Sequence, residues 1–369
     1  MDLLRALTDD WTSLLDRLSG GIDLDRTLRE LGGLQRRRRI ADAQTLLRLA
    51  LLYCLSGQSL RSTATWARCQ GLADLSDVAL LKRLRKAASW FRYLLAAKLL
   101  QRIEGLRASC GTRRLRLMDA TTSSVWGSRG TDYRIHMGFC LRTQQIDQLE
   151  ITGPEGGESL ARHPFSPGDL VVADRGYAHR RGLSAVVAAG ADFLVRANWQ
   201  NLPLQDSQQR RIDLPQLLAQ LPNLPQSPGS ALLDLEVWTM PDPKHSIGSV
   251  AARLIVVRKD KTAWEAERQK IIREAARKGR KTDPRSLVAA EFVLLLTSAP
   301  RQEISAQMVL DLYRLRWQIE MAFKRLKGLL RLDDLPCKDP DLVMSCLCVK
   351  LLAGLTLEDL TQDFLAFSP

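Results

Sequence analysis

Three acidic residues in the sequence stand where a carboxylate could take part in chemistry. Asp119 follows the alternating stretch "RRLRLM", Asp174 follows the apolar stretch "DLVVA", and Glu320 lies within "DLYRLRWQIEMAFKRLKG". The chain has four His, and its seven Cys include no CxxC pair, so zinc binding and a disulfide framework are both disfavoured. Carboxylate oxygens without such partners are typical ligands of Mg²⁺ or Mn²⁺. Two such ions about 3.5–4 Å apart can activate a water or a 3′-hydroxyl and stabilise the leaving oxygen of a phosphodiester.

Each acid taken alone also has an ordinary structural interpretation. Asp119 is followed by Ala120 and two Thr residues, which fits a capping role. Asp174 is followed by Arg175 and Gly176, which fits a turn. The chemical interpretation therefore requires all three acids to converge in the fold.

The segment 311–328 is predicted to be an amphipathic helix. At about 100° per residue, four of its polar side chains share an arc of roughly 60°, and two more residues border that arc. They are Tyr313, Arg316, Glu320 and Lys327 within the arc, and Trp317 and Lys324 at its border. A separate arc is apolar and predicts the core face, with Leu315, Ile319, Ala322, Leu326, Leu329 and Leu330. The alternative interpretation of the polar arc is a solvated face with i,i+4 pairs such as Glu320 with Lys324.

The charge of the chain points to a polyanionic partner. Lys and Arg number 54 against 41 Asp and Glu, a net charge of +13, which favours nucleic acid first and an anionic membrane surface second. The most apolar stretch, "LVMSCLCVKLLAGLTL", carries Lys350 in its middle, which argues against a membrane span. The N-terminus has acidic residues where a signal peptide would have basic ones. We therefore expect a cytoplasmic protein with no membrane partner.

The periodicity of the sequence changes near residue 111. Residues 1–110 have helical spacing, and two helices at about 59–95 are compatible with a helix-turn-helix-like DNA reader that presents Arg83 and Lys86. A plain helical bundle with a basic surface fits the same pattern equally well. From residue 111, strands and helices alternate as in an α/β protein with a mixed sheet. Asp119 is predicted to end the first strand and Asp174 the fourth, so the two carboxylates meet if these strands are neighbours.

Three motifs together resemble one known family. "MDATT", "VVADRGY" and "YRLRWQIEMAFKRLK" look like the three acidic motifs of the IS4-type DDE transposases. The last matches the family signature Tyr-(2)-Arg-(3)-Glu-(6)-Lys at every spacing, with Tyr313, Arg316, Glu320 and Lys327. The resemblance runs from about residue 59 to about residue 340.

The resemblance implies a fold and a domain organisation. It implies an RNase H-like, mixed-sheet catalytic core with a β-rich insertion between the second Asp and the Glu, preceded by an all-helical DNA-binding region. We expect five segments along the chain. They are the helical DNA-binding region 1–110, the first part of the core 111–198, the insertion 199–290, the second part of the core with the Glu helix 291–335, and a C-terminal helical tail 336–369.

The resemblance also implies an activity, a cofactor and partners. Asp119, Asp174 and Glu320 would hold two Mg²⁺ or Mn²⁺ ions for nicking, hairpin formation and strand transfer on double-stranded DNA, at terminal inverted repeats and at a target. Family members contact phosphates near the cleaved end through the Tyr, Arg and Lys of the signature. A homodimer is implied in the DNA complex. The predicted DNA contacts are Tyr313, Arg316, Lys327, Lys324, Arg175, Trp317, Phe292, Arg83 and Lys86.

Hairpin-forming members of the family stack a flipped base on an aromatic residue of the insertion. Phe292 is the nearest candidate here, although its register differs from the family by about one position. Trp199, Trp238 and Trp264 are alternatives, and core packing is the expected place of at least two of them. An alternative function is a catalytically silent DNA-binding regulator derived from a transposase, for which intact carboxylates would serve no purpose.

Overall fold

The N-terminal part of the protein is helical. In this computed structural model the described residues are 7, 9–34, 39–107, 113–128, 130–143, 145–221, 231–332, 335 and 337–366. The first six described helices are α1 (Trp11–Ser19), α2 (Leu24–Glu30), α3 (Ala43–Ser56), α4 (Leu60–Cys69), α5 (Asp77–Lys86) and α6 (Ala88–Arg107). Four of them begin after a residue whose side chain accepts a backbone amide of the first turn: Asp23, Asp42, Ser59 and Ser76.

The last helix, α13 (Pro340–Ala366), packs into this N-terminal region. It contacts α3, α5 and α6, so the two ends of the chain share one apolar core. By length and composition Pro340–Thr361 could cross a membrane, but 78% of its most apolar window is buried inside the protein. Lys350 is itself buried and donates a hydrogen bond of 2.7 Å to the carbonyl of Arg331. Such burial is typical of a core helix.

A single mixed sheet of nine strands forms the rest of the described fold, in the order β3-β2-β1-β4-β5-β9-β8-β7-β6. The strands are β1 (Arg114–Ser123), β2 (Tyr133–Cys140), β3 (Gln145–Thr152), β4 (Asp169–Ala173), β5 (Asp192–Arg196), β6 (Leu204–Gln205), β7 (Ala231–Thr239), β8 (Ala251–Arg258) and β9 (Phe292–Thr297). The connecting helices are α7 (Arg180–Ala188), α8 (Leu214–Ala219), α9 (Lys261–Arg277), α10 (Pro284–Ala289), α11 (Ala306–Arg314) and α12 (Trp317–Leu330). The predicted α/β fold with a mixed sheet is confirmed.

The central strands are covered on both faces. Leu117 of β1 and Val172 of β4 join the core shared with the helical region, whereas their neighbours Met118 and Val171 join a second apolar cluster on the opposite face. Alternate side chains of a strand point to opposite faces, so an apolar run such as β4 fills two cores at once. This burial fixes the register of the strands, because a slip of one residue would exchange the two faces.

Parallel pairing is confined to the middle of the sheet. β4 runs parallel to β1 and to β5, and all other neighbouring strands are antiparallel. The strands of segment 199–290 extend the same sheet through β9. That segment also contains α8, α9 and α10.

Two buried Arg–Asp pairs lie where β1 and β4 begin. Arg114 donates two hydrogen bonds of 2.8 Å to the carboxylate of Asp169. Arg116 donates bonds of 3.0 and 2.7 Å to Asp147, and the side chains of this second pair are only 2% and 0% exposed. Each carboxylate therefore receives a guanidinium in the bidentate geometry that stabilises such pairs best.

Candidate active site

Asp119 and Asp174 lie side by side at the other end of the same two strands. The last residues paired between β1 and β4 are Met118 and Ala173, so the two acids follow directly in register. β1 itself continues to Ser123 through its pairing with β2. The prediction that the first strand ends at Asp119 is therefore wrong, because β2 supports it further. β1 and β4 are neighbours, which is the condition on which the predicted meeting of the two acids depends.

Both acids also make the local contacts that an ordinary turn or cap would make. Asp119 Oδ1 accepts a hydrogen bond of 2.8 Å from the backbone amide of Ala120. Asp174 Oδ1 accepts one of 2.7 Å from the amide of Gly176, where a short 3₁₀ turn begins. Each bond holds its carboxylate in a fixed direction and involves one oxygen atom. The capping and chemical interpretations are therefore compatible.

The charge around Asp119 is only partly balanced. Burial raises the pKa of Asp119 to about 6, and the carboxylates of Asp174 and Glu158 raise it as well. The amide of Ala120 and the guanidinium of Arg316 act in the opposite direction. An acid with such a pKa lies among like charges in a site of low polarity, where a bound cation would be favourable.

Glu320 lies in the first turn of α12, which packs against β1. Its Oε1 is in close contact with Arg316 Nη2, while Arg316 Nη1 lies 3.8 Å from Asp119 Oδ2. Arg316 thus bridges Asp119 and Glu320. Burial raises the pKa of Tyr313, and the charges of Arg316 and Arg196 act in the opposite direction.

The segment 311–328 is two helices. α11 ends at Arg314 and α12 begins at Trp317, with a turn between them that the prediction of one continuous helix missed. Leu329, predicted on the core face, is 72% exposed. Arg316 still contacts Glu320 across this turn, and the amide of Arg316 donates a 3.1 Å hydrogen bond to the carbonyl of Tyr313.

The donors at this edge fit a hard cation. Among the described residues, no three His, Cys, Asp or Glu side chains are close enough to share a metal ion. Asp119 and Asp174 nevertheless offer only oxygen donors, which Mg²⁺ and Mn²⁺ prefer. Tyr177, directly beyond, is fully buried, and its hydroxyl has no hydrogen-bond partner within the described part of the chain.

Three other predicted DNA contacts lie on α12 and one follows Asp174. Trp317 is 52% exposed, Lys324 is exposed and Lys327 is half-buried. Arg175 is exposed and lines a neighbouring cavity. These four residues are accessible in the described structure and extend from the acidic edge.

The remaining predicted contacts lie elsewhere. Phe292 is only 3% exposed and packs in the apolar cluster, so the structure does not support its predicted stacking role; β9 lies between β5 and β8, and both faces are covered. Arg83 and Lys86 belong to α5 in the helical region, with Arg83 half-buried and Lys86 exposed. The neighbouring Arg85 forms a 3.0 Å ion pair with Asp339, which ties α5 to the segment before α13.

A basic cavity of about 400 Å³ opens beside Arg175, between α9 and the strands β5 and β9. Its cationic lining is Arg175, Arg196, Lys259, Lys270, Lys278, Arg280 and Lys281. The ring of Trp199 also lines it, with the Arg285 guanidinium 5.2 Å from the ring centre. Trp264 is covered in the same way by Arg268 at 5.3 Å. The run "RKGRK" therefore borders a cavity.

Glu158 and Tyr177 are the residues at this edge that sequence reasoning did not assign. Burial raises the pKa of Glu158, and so does the charge of Asp174. Burial also raises the pKa of Tyr177, with contributions from Asp119, Glu158 and Asp174. Tyr177 lies within the "VVADRGY" motif, so its proximity to Asp174 was available as a signal. Glu158 lies in a Gly-rich stretch with no such signal.

Comparisons with known proteins identify the family of this chain. The family described as "Transposase DDE domain" matches residues 111–353. The putative transposase InsL for insertion sequence element IS186A of Escherichia coli is 39% identical over 362 residues, which cover 98% of this chain and 96% of that protein. The transposase for insertion sequence element IS421 of Escherichia coli is 39% identical over 363 residues, with the same coverage. A piggyBac transposase synaptic complex with hairpin DNA, solved by cryo-EM, aligns with a TM-score of 0.46 and 9% identity over 99% of this chain and 76% of that one.

The family match over residues 111–353 and the 39% identity to insertion-sequence transposases define the class of this protein. The chain belongs to the DDE transposase family, and the predicted resemblance to its IS4-type members is confirmed.

Proposed function

We propose that this DDE transposase cuts the ends of an insertion sequence with Asp119, Asp174 and Glu320 as its metal-holding acids. The observation that carries this proposal is the register of β1 and β4, which sets Asp119 and Asp174 side by side. The guanidinium of Arg316 lies between Glu320 and Asp119 and contacts both carboxylates. The third acid would therefore reach the other two once Arg316 moves away.

Two Mg²⁺ or Mn²⁺ ions would be held by these carboxylates. When bound, they would activate a water or 3′-hydroxyl and stabilise the leaving oxygen of the phosphodiester. The donor set supports this choice, since the acids are oxygen ligands and the pKa of Asp119, about 6, reflects negative charge that a cation would balance.

Arg316 is proposed to exchange its partners when DNA binds. In the DNA-free protein its guanidinium neutralises Asp119 and Glu320. A backbone phosphate offers the same guanidinium two oxygens in a suitable geometry. Movement of Arg316 to that phosphate would release Glu320 to the metal site, so DNA binding and assembly of the three acids would be coupled.

The remaining contacts with the DNA end are proposed from accessibility and charge. Tyr313 donates a hydrogen bond to a phosphate oxygen, and Lys324 and Lys327 act as point charges along α12. Exposed Trp317 and Arg175 flank the same edge. Phosphate contacts of this kind position a duplex and do not read its sequence.

We infer that the sheet from β3 to β5 with its helices is an RNase H-like core and that segment 199–290 is the insertion. The segment boundaries at 110, 198, 290 and 335 are proposed with it. The helical region would read the terminal inverted repeats, with Arg83 and Lys86 of α5 as candidate contacts. Hairpin formation, strand transfer, a homodimer in the DNA complex and action in the cytoplasm complete the proposal.

The test is cleavage of a plasmid that carries the inverted repeats flanking the gene, with Mg²⁺ or Mn²⁺ present. Asp174→Asn and Glu320→Gln should each lower the cleavage rate by at least about 10³-fold, because each removes a charge that holds the metal ions. Asp311→Asn is the matched control, since Asp311 is an exposed acid that pairs with Arg314 on α11. Binding of the repeats without cutting in the wild type would instead indicate a DNA-binding regulator.

A further inference from the structure

The loop after β3 brings a fourth carboxylate to the acidic edge. A methyl group added at Gly176 would overlap Glu158 Oε2 and lie 3.0 Å from Asp174 Oδ1. The two carboxylates therefore face each other across the bare Cα of Gly176. Any larger residue at position 176 would displace Glu158, so the motif "DRGY" leaves a space that this acid fills.

Arg134 holds Glu158 in this position. Arg134 Nη1 lies 3.1 Å from Glu158 Oε1, and Arg134 belongs to β2, where it pairs with Thr122 of β1. The other oxygen of Glu158 faces Gly176 and Asp174. The ion pair with Arg134 uses Oε1 of Glu158. The other oxygen, Oε2, points toward Asp174 and is free to contact a bound water or cation.

A second observation, the buried hydroxyl of Tyr177, also indicates a bound water or ion at this turn. Tyr177 is fully buried, and its hydroxyl has no hydrogen-bond partner among the described residues. Tyr177 directly follows Gly176, the residue flanked by Glu158 and Asp174, in the same short 3₁₀ turn. A buried hydroxyl without a partner is unfavourable, so a site that keeps one usually supplies a water or an ion-bound water.

Glu320 is placed differently. Its side chain is 45% exposed and its Oε1 contacts Arg316. Glu158, in contrast, has its Oε2 beside Asp174 Oδ1 at the Cα of Gly176. In the DNA-free protein the carboxylate beside the two strand-end acids is therefore Glu158.

We propose that Glu158 is a positioning residue for the divalent cation of the DNA-free protein, which Asp119 and Asp174 bind directly. Glu158 and the hydroxyl of Tyr177 hold water molecules of that cation. Mg²⁺ and Mn²⁺ sites commonly keep several waters, so acids too far apart to share a bare ion still contribute to one hydrated ion. The inference rests on the proposed metal site and adds two residues to it.

The test is a titration of the full chain with Mn²⁺ in the absence of DNA, followed by the electron paramagnetic resonance signal of free Mn²⁺. Glu158→Gln should raise the dissociation constant about 10- to 100-fold, the usual effect of losing a group that orients ligands around a metal. Glu158→Asp, which keeps the charge, should restore part of the affinity. Glu150→Gln is the matched control, because Glu150 also pairs with an arginine, Arg162, at 3.2 Å.

Unchanged Mn²⁺ affinity in Glu158→Gln would overturn the proposal. Loss of affinity in Asp174→Asn with none in Glu158→Gln would keep the metal site and remove Glu158 from it. Unchanged affinity in Asp174→Asn would contradict the metal site itself, a failure of the proposed function. If Glu158→Gln unfolds at a lower temperature, Tyr177→Phe decides: weakened Mn²⁺ binding supports the proposal, and unchanged binding overturns it.

Discussion

Acidic side chains have opposite surroundings at the two ends of the parallel pairing between β1 and β4. Where the strands begin, Asp169 and Asp147 each receive two hydrogen bonds from a buried arginine. Where β4 ends, Asp119 has the guanidinium of Arg316 at 3.8 Å, and Asp174 and Glu158 add like charge. The same strands thus carry matched charges at one end and an excess of negative charge at the other.

The difference separates structural charges from charges that await a ligand. A buried pair with bidentate geometry needs no further partner, and removing one member leaves the other charge unpaired in the interior. Acids that raise each other's pKa gain from a cation or from protons. The matched end keeps the strands in register, and that register places the unmatched acids beside each other.

Removing the buried arginine of the Arg116–Asp147 pair should have the largest effect on stability. Arg116→Ala leaves the fully buried Asp147 without its partner, so the free energy of unfolding should fall by about 3–5 kcal/mol in urea denaturation. Arg26→Ala is the comparison on an exposed pair, with side chains 70% and 57% exposed, and should lose under about 1 kcal/mol. Similar small losses for both variants would mean that the buried pair is not what stabilises this end.

The excess negative charge around Asp119 should make the free energy of unfolding depend on pH. The pKa of Asp119 is raised to about 6 in the folded protein by burial and by Asp174 and Glu158, against the action of Arg316, so the folded state binds a proton more tightly than the unfolded state. This stabilisation is present below about pH 4 and is lost as the pH rises through about 6. Relative to Asp119→Asn, the metal-free wild type should therefore lose about 1–3 kcal/mol between pH 4 and pH 7 in urea denaturation.

A saturating divalent cation should abolish that difference, because it favours the ionised carboxylate. A constant difference between wild type and Asp119→Asn across this pH range, in metal-free buffer, would contradict the environment described for Asp119.

The smallest effect should come from removing the hydroxyl of Tyr177. Tyr177→Phe removes a buried donor that has no partner in the described structure, so the metal-free protein should gain about 1 kcal/mol in free energy of unfolding. Tyr93→Phe, at a position 41% exposed, should change nothing measurable by the same thermal or urea denaturation. A loss of stability in Tyr177→Phe would show that the hydroxyl is satisfied within the protein.

Part of this arrangement follows from the sequence alone. The apolar run of β4 predicts a strand that ends just before Asp174, as observed, and the alternation of β1 predicts a strand that contains Asp119, although β1 continues to Ser123. The parallel pairing that sets the two acids side by side does not follow from local spacing. The break between α11 and α12 does not follow, because Leu315 and Arg316 fit a helix by type, and tertiary packing decides their turn.

The positions of Phe292 and Glu158 depend on contacts between distant parts of the chain. Phe292 is buried because β9 lies between β5 and β8, a strand order that local spacing does not give. Glu158 reaches the edge through its pair with Arg134 and the space at Gly176. Neither contact produces a periodic pattern in the sequence, so the position of Glu158 beside Asp174 could not be predicted from the sequence.

The most direct test of the metal site is to locate the ion on the protein. Fe²⁺ can replace Mg²⁺ at oxygen sites, and with peroxide and ascorbate it cuts the polypeptide next to where it is bound. We expect cuts near Asp119 and near Asp174 in the DNA-free wild type, and their loss in Asp174→Asn. Cuts confined to other segments, or the same cuts in Asp174→Asn, would contradict a metal site formed by Asp119 of β1 and Asp174 after β4.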